Sequence, residues 1–188
     1  MTRFAPVPPE SMTPEQKAVA DEIAGGPRGG VRGPFIALLH HPALARRVQA
    51  LGEHLRFGTQ FSDTLIEIGV LVTARHWRCQ HEWFAHEKLA RKAGVPDAII
   101  DAIAQGRRPD GMDDAQALVH DFCREVLRDG EPSQGSYDAA NARYGGQGVL
   151  DLVALCGYYT TLAMVLNTAH MPLPDGASPP LAALSTHA

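Results

Sequence analysis

The 188-residue chain has only three cysteines, Cys79, Cys123 and Cys156, odd in number and widely spaced. They form neither a disulfide framework nor a zinc knuckle, which suits a reducing compartment. No CxxC is present, so no resolving thiol sits beside any of them. Positive charge is not in surplus, because 17 lysines and arginines against 21 acids leave a formal −4. Nucleic acid is therefore not an expected partner. Long apolar runs are missing too. The stretch from Leu65 to Ala74 is interrupted by Glu67 and is too short to cross a bilayer, so no membrane partner is expected. The first residues, MTRFAPVPPE, lack the apolar centre of a signal peptide, and the expected location is the cytoplasm. No segment alternates apolar and polar residues as a half-buried strand would. The length suits one domain, and the expected class is all-α.

Helix signals punctuate the whole chain. Residues 1–12 are Pro-rich and extended. Thr13 followed by Pro14 reads as an N-cap, opening a helix to about Ala24. Glycines and prolines make residues 25–34 a loop, so residues 1–30 read as an arm, a short helix and that loop. A short apolar helix follows from Pro34 to His41, and Pro42 opens another to about Arg56. Ser62 caps a helix over 63–76 that is apolar nearly all round, as befits the centre of a bundle. The next helix covers about 79–93 and ends at Gly94. Whether those two are continuous near His76–Arg78 is open. Pro96 starts a helix to about Ala104, and the capping-box pattern at Asp113–Gln116 starts one to about Arg128. A helix near Ser136–Arg143 stops at Gly145-Gly146, and a last long one covers about 148–169. The main domain is thus 31–172. Prolines at 172, 174, 179 and 180 forbid further helix and leave 173–188 as a flexible tail.

Chemistry concentrates between Glu67 and His86, which reads EIGVLVTARHWRCQHEWFAH. Glu67 lies inside an apolar run, where a carboxylate costs several kcal/mol unless paired or neutralised. A salt bridge to Arg56 or Arg75 is the plain structural reading. Kept protonated by burial, Glu67 would instead donate a hydrogen bond to a substrate carbonyl or to His86. Glu82 and His86 are four apart and share a helix face, which suits either a surface ion pair or an acid–base couple. Cys79, near a helix start and Arg78, is a candidate nucleophile or a small buried hydrophobe. His76 and His81 complete the crowd as bystanders. The spacing HExxxH is not a zinc-protease HExxH, so no metal is expected.

The pattern Glu67-x11-Cys79-x2-Glu82-x3-His86, followed by Ala90 and Gly94-Val95, resembles the carboxymuconolactone decarboxylase and alkylhydroperoxidase D-like superfamily. Gly33-Pro34-Phe35, His41-Pro42, Leu150–Val153, Tyr158-Tyr159 and Asn167 add to the likeness, which covers about residues 30–172. The resemblance implies a single-domain, alkylhydroperoxidase D-like helical bundle that assembles as a homo-oligomer, commonly a trimer or hexamer. It also implies one of two chemistries. The peroxidase branch uses a Glu, a CxxC and a His as a thiol relay. Glu67, Cys79 and His86 fall on three of those positions, with Glu82 in place of the peroxide-attacking thiol. The decarboxylase branch carries a Glu-x3-His pair, which Glu82 and His86 match, and works without metal or organic cofactor.

Losing the thiol removes redox capacity and keeps acid–base capacity. The expected function is cofactor-free decarboxylation, isomerisation or lactone processing of a small carboxylated substrate. Its expected catalytic residues are Glu67, Glu82 and His86, with Cys79 as a further candidate. Arg75, Arg78 and Trp83 are the expected substrate contacts. A single-cysteine peroxidase using Cys79, and a non-catalytic module keeping the pocket, are the alternatives.

Overall fold

The computed structural model describes residues 2–174 and 176–183. Among these residues there is no strand, and the all-α expectation holds. Eight α-helices follow one another: α1 Pro14–Gly25, α2 Pro34–Leu38, α3 Pro42–Glu53, α4 Asp63–His76, α5 Gln80–Lys92, α6 Asp97–Ala104, α7 Asp114–Asp129 and α8 Gln134–Ala169. A π-helical turn, His54–Gly58, continues α3.

Helix starts follow the side chains that satisfy the orphan N–H groups of a first turn. Thr13 and Gln16 form a reciprocal capping box on α1, and Asp113 and Gln116 form another on α7. Ser62 caps α4 and Ser133 caps α8, two residues earlier than the sequence suggests for the latter. Gly145, at φ +67°, breaks α8 internally where Gly145-Gly146 was expected to separate two helices.

The apolar α4 occupies the centre and packs against α5, α6, α7 and α8. Ten consecutive residues of it, Ile66 to Arg75, are buried. Gly69 permits the close approach of α8, since a Cβ there would stand 2.7 Å from the Leu155 methyl. Among the described residues, α8 is the one helix long and apolar enough by composition to cross a bilayer. Half of that apolar window is buried in the bundle.

Two boundary expectations change. Val19 and Ile23 of α1 are fully buried in the main core and α1 packs on α3, so this helix is part of the bundle. The tail docks on the bundle at Leu181 and Ala182. Leu181 is buried, exchanges two hydrogen bonds with the Gln80 side chain, and is followed by Ala182, whose carbonyl accepts from Arg75. Proline stops a helix without preventing side chains from docking. Residues 175 and 184–188 of the expected tail lie outside the described residues.

Candidate active site

The α4–α5 connection is a tight reversal. Arg78 takes the left-handed conformation, φ +50°, and the Cys79 N–H reaches back to the Ala74 carbonyl at 2.9 Å, a Schellman-type ending. The helices are therefore separate, which answers the open question at His76–Arg78. From α8, Thr160 accepts from the Trp77 indole (2.9 Å) and Asn167 donates to the Trp77 carbonyl (3.0 Å). This clamp lays α5 along α4 and brings Glu82 and His86 against Glu67.

His86 stands between the two carboxylates. Its Nδ1 lies 2.6 Å from Glu67 Oε2, and its Nε2 lies 3.3 Å from Glu82 Oε1. The other Glu67 oxygen faces Arg56 Nη2 at 3.8 Å. All three central residues are buried, with 4–6% exposure, so the surface ion-pair reading of Glu82 and His86 fails. Two carboxylates meet one guanidinium and one imidazole, and the cluster is neutral when His86 is protonated. Burial alone would lower the His86 pKa. The charge and hydrogen bond of Glu67, then Glu82, outweigh burial and raise it to about 9. Tyr159 packs against the imidazole in a T-shaped arrangement, ring centroids 5.1 Å apart and planes at 85°.

One Glu67 oxygen faces His86 and the other Arg56, which selects Arg56 over Arg75 as its ion-pair partner. Arg56 sits on the π-turn, a local distortion that recurs at functional sites.

Glu82 and His86 open onto a cavity of about 420 Å³ whose wall also includes Arg28, Arg32, Arg56 and Tyr159. Arg28 is held by Gln49 (2.7 Å), by the Tyr158 hydroxyl (3.3 Å) and over the Phe35 ring. His81, read from sequence as a bystander, lines the same cavity, its Nδ1 2.9 Å from the Pro172 carbonyl. Glu67 faces a smaller cavity of about 230 Å³ on its other side, shared with Arg56 and Leu89.

The remaining expected site residues lie elsewhere. Cys79 is fully buried at the N-cap of α5, packed with Ala163 and Leu166, and is not on the cavity wall. Burial pushes its thiol up to about 12, against backbone N–H groups of Glu82 and His81 that favour the thiolate. The charge of Glu82 adds to the rise. Trp83 is 1% exposed and belongs to the main core rather than to a binding surface. Arg75 lines a different cavity, and Arg78 is exposed at the turn. The cavity's arginines come instead from the Gly/Pro loop and the π-turn. Arg28 and Arg32 carry only a weak sequence signal, arginines spaced among glycines in residues 25–34.

Both ring nitrogens of His86 face carboxylates, Nδ1 toward Glu67 and Nε2, at the longer 3.3 Å, toward Glu82 on the cavity wall. No cluster among the described residues has the makings of a metal site.

Searches with family models and among curated proteins found no match. Among solved structures, the chain is similar to the alkylhydroperoxidase AhpD core of an uncharacterized peroxidase-related protein from Ralstonia eutropha JMP134. The TM-score is 0.74 at 19% identity, over 92% of each chain. The fold is alkylhydroperoxidase D-like. That agrees with the resemblance carried by Glu67, Cys79, Glu82 and His86, and it describes the scaffold rather than the reaction.

Proposed function

We infer that the protein is a cofactor-free acid–base enzyme acting on a small carboxylated substrate, by decarboxylation, isomerisation or lactone processing. The observation that carries this reading is His86, buried between Glu67 and Glu82 and raised to about 9, at a cavity walled by three arginines. A charged imidazole at neutral pH is a general acid in waiting. The arginines draw in and orient an anion. In decarboxylation of an unsaturated lactone acid, the carbon–carboxylate bond breaks and its electron pair passes into the conjugated carbonyl. CO₂ leaves, and His86 delivers a proton to carbon. Glu82, on the cavity wall, orients the ring and relays to it the solvent proton that each turnover consumes. Glu67, anchored by Arg56, keeps the imidazole basic.

The cysteine-peroxidase alternative has less behind it. Cys79 is buried, its thiol is pushed up to about 12, and Glu82 stands where a second thiol would have to be. In keeping with the sequence reading, the proposed enzyme is cytoplasmic and works as a homo-oligomer, a trimer or hexamer.

Screening carboxylated lactones for turnover supplies the test. His86→Ala and Glu82→Gln are expected to lower kcat/KM at least 100-fold, the usual scale for lost general acid–base catalysis of about 10²–10⁴. Cys79→Ser is expected to stay within about three-fold of the parent, because no reacting atom meets the thiol. Activity lost in the cysteine variant and kept in the other two, together with a trappable sulfenic acid at Cys79, would reverse the assignment.

A further inference from the structure

A second cationic cavity, of about 190 Å³, lies between α4, α6 and α7 and shares no lining residue with the cavity at His86. Two buried side chains line it, Arg75 at 5% exposure and His120 at 2%; burial holds the His120 pKa below its ordinary value in spite of Asp121, so Arg75 is the buried charge. Arg107, Arg124 and Arg128 surround the mouth. His120, Arg124 and Arg128 follow one another at four-residue spacing, so α7 aims them in one direction. Arg124 and Arg128 are like charges at that spacing, which repel on a helix face.

Carboxylates offset only part of this charge. Asp129 pairs with Arg128, and Asp121 takes both His120 Nδ1 (2.8 Å) and Arg108. Arg107 bonds the Gln105 side chain. Among the described residues no carboxylate comes within ion-pair reach of Arg75 or Arg124. Arg75 donates one bond, from Nη1 to the Ala182 carbonyl, and its buried Nε has no partner. Burial first, and the charge of Arg78 second, make the charged form of Arg75 costly. A buried guanidinium with an orphan N–H is a built receptor for an acceptor-only ligand.

We propose that this cavity binds phosphate or the phosphoryl group of a small phosphomonoester. A tetrahedral dianion offers enough acceptor oxygens to meet Arg75 Nε, Arg124 and the rim together. Val72, Ile103 and Leu127 contribute apolar wall for a short carbon body. The volume falls below the roughly 300 Å³ at which sites for drug-sized ligands begin, which excludes a nucleotide.

The test is a ³¹P NMR titration of the full-length protein with inorganic phosphate at fixed pH and ionic strength, and a parallel one with glycerol phosphate. Saturable binding is expected, weakened at least ten-fold in Arg124→Ala, an exposed position where folding is not at stake. Arg32→Ala, which alters the other cavity, is expected to change it less than two-fold. Tighter binding of glycerol phosphate would assign the ester, and equal or weaker binding the free ion. No saturation, no effect of Arg124→Ala, or a loss as large in Arg32→Ala would overturn the proposal.

Discussion

At the scale of single residues, His86 is defined by its two neighbours. Burial removes water that would otherwise stabilise an imidazolium, and only the paired carboxylates on either ring nitrogen reverse that penalty. The balance has a consequence for stability. An imidazole whose pKa rises on folding, from the ordinary 6.5 to about 9, contributes fully below about pH 6.5. The contribution is lost as the pH climbs through about 9. Unfolding free energy is therefore expected to fall by up to about 3 kcal/mol between pH 6.5 and 9.5. Urea melts across that window would show it, and His86→Gln, lacking the titration, should have a flatter profile.

Among the elements, α4 and α5 made half of the site legible. Glu82 and His86 share a face because a helix turns 3.6 residues at a time, whatever surrounds it. The apolar run around Glu67 marked a buried carboxylate for the same local reason. Arg75 was misplaced because it is eight residues from Glu67, about 12 Å along the axis and turned about 80° away. Arg28 and Arg32 were not legible, since the path of a Gly-rich loop is set by tertiary contacts such as those of Arg28 with Gln49 and Tyr158. Nor could helical patterning reveal that Leu181 docks beside Gln80. The α4–α8 crossing is the element contact with least slack. Gly69→Ala would press a methyl into buried Leu155 and, at 3.4 Å, into Cys123 Sγ. It is expected to cost about 1–3 kcal/mol, read as a lower urea midpoint at unchanged slope.

At the scale of the whole molecule, one face lacks a cover. Leu150, Val153 and Met164 are 69%, 41% and 44% exposed and, with Gly157 and Thr161, recur at three- and four-residue steps along α8. Leu44 and Leu51 of α3 extend the apolar surface, and a groove joins Leu44 to Met164. An apolar stripe this long suits burial against further copies of the chain. Light scattering after gel filtration is expected to give a trimer or hexamer. Leu150→Glu with Met164→Glu should reduce it toward monomer, because each buried apolar side chain contributes roughly 2 kcal/mol and a buried unpaired charge opposes assembly.

The acid–base reading rests above all on a charged His86 at neutral pH. Its imidazole can be followed directly by NMR, with ¹⁵N-histidine labelling and His86→Gln to assign the signal. The expected result is a midpoint near 9 in the parent protein, displaced downward by at least one unit in Glu67→Gln. A midpoint at or below the ordinary 6.5, unmoved by that substitution, would contradict the central claim.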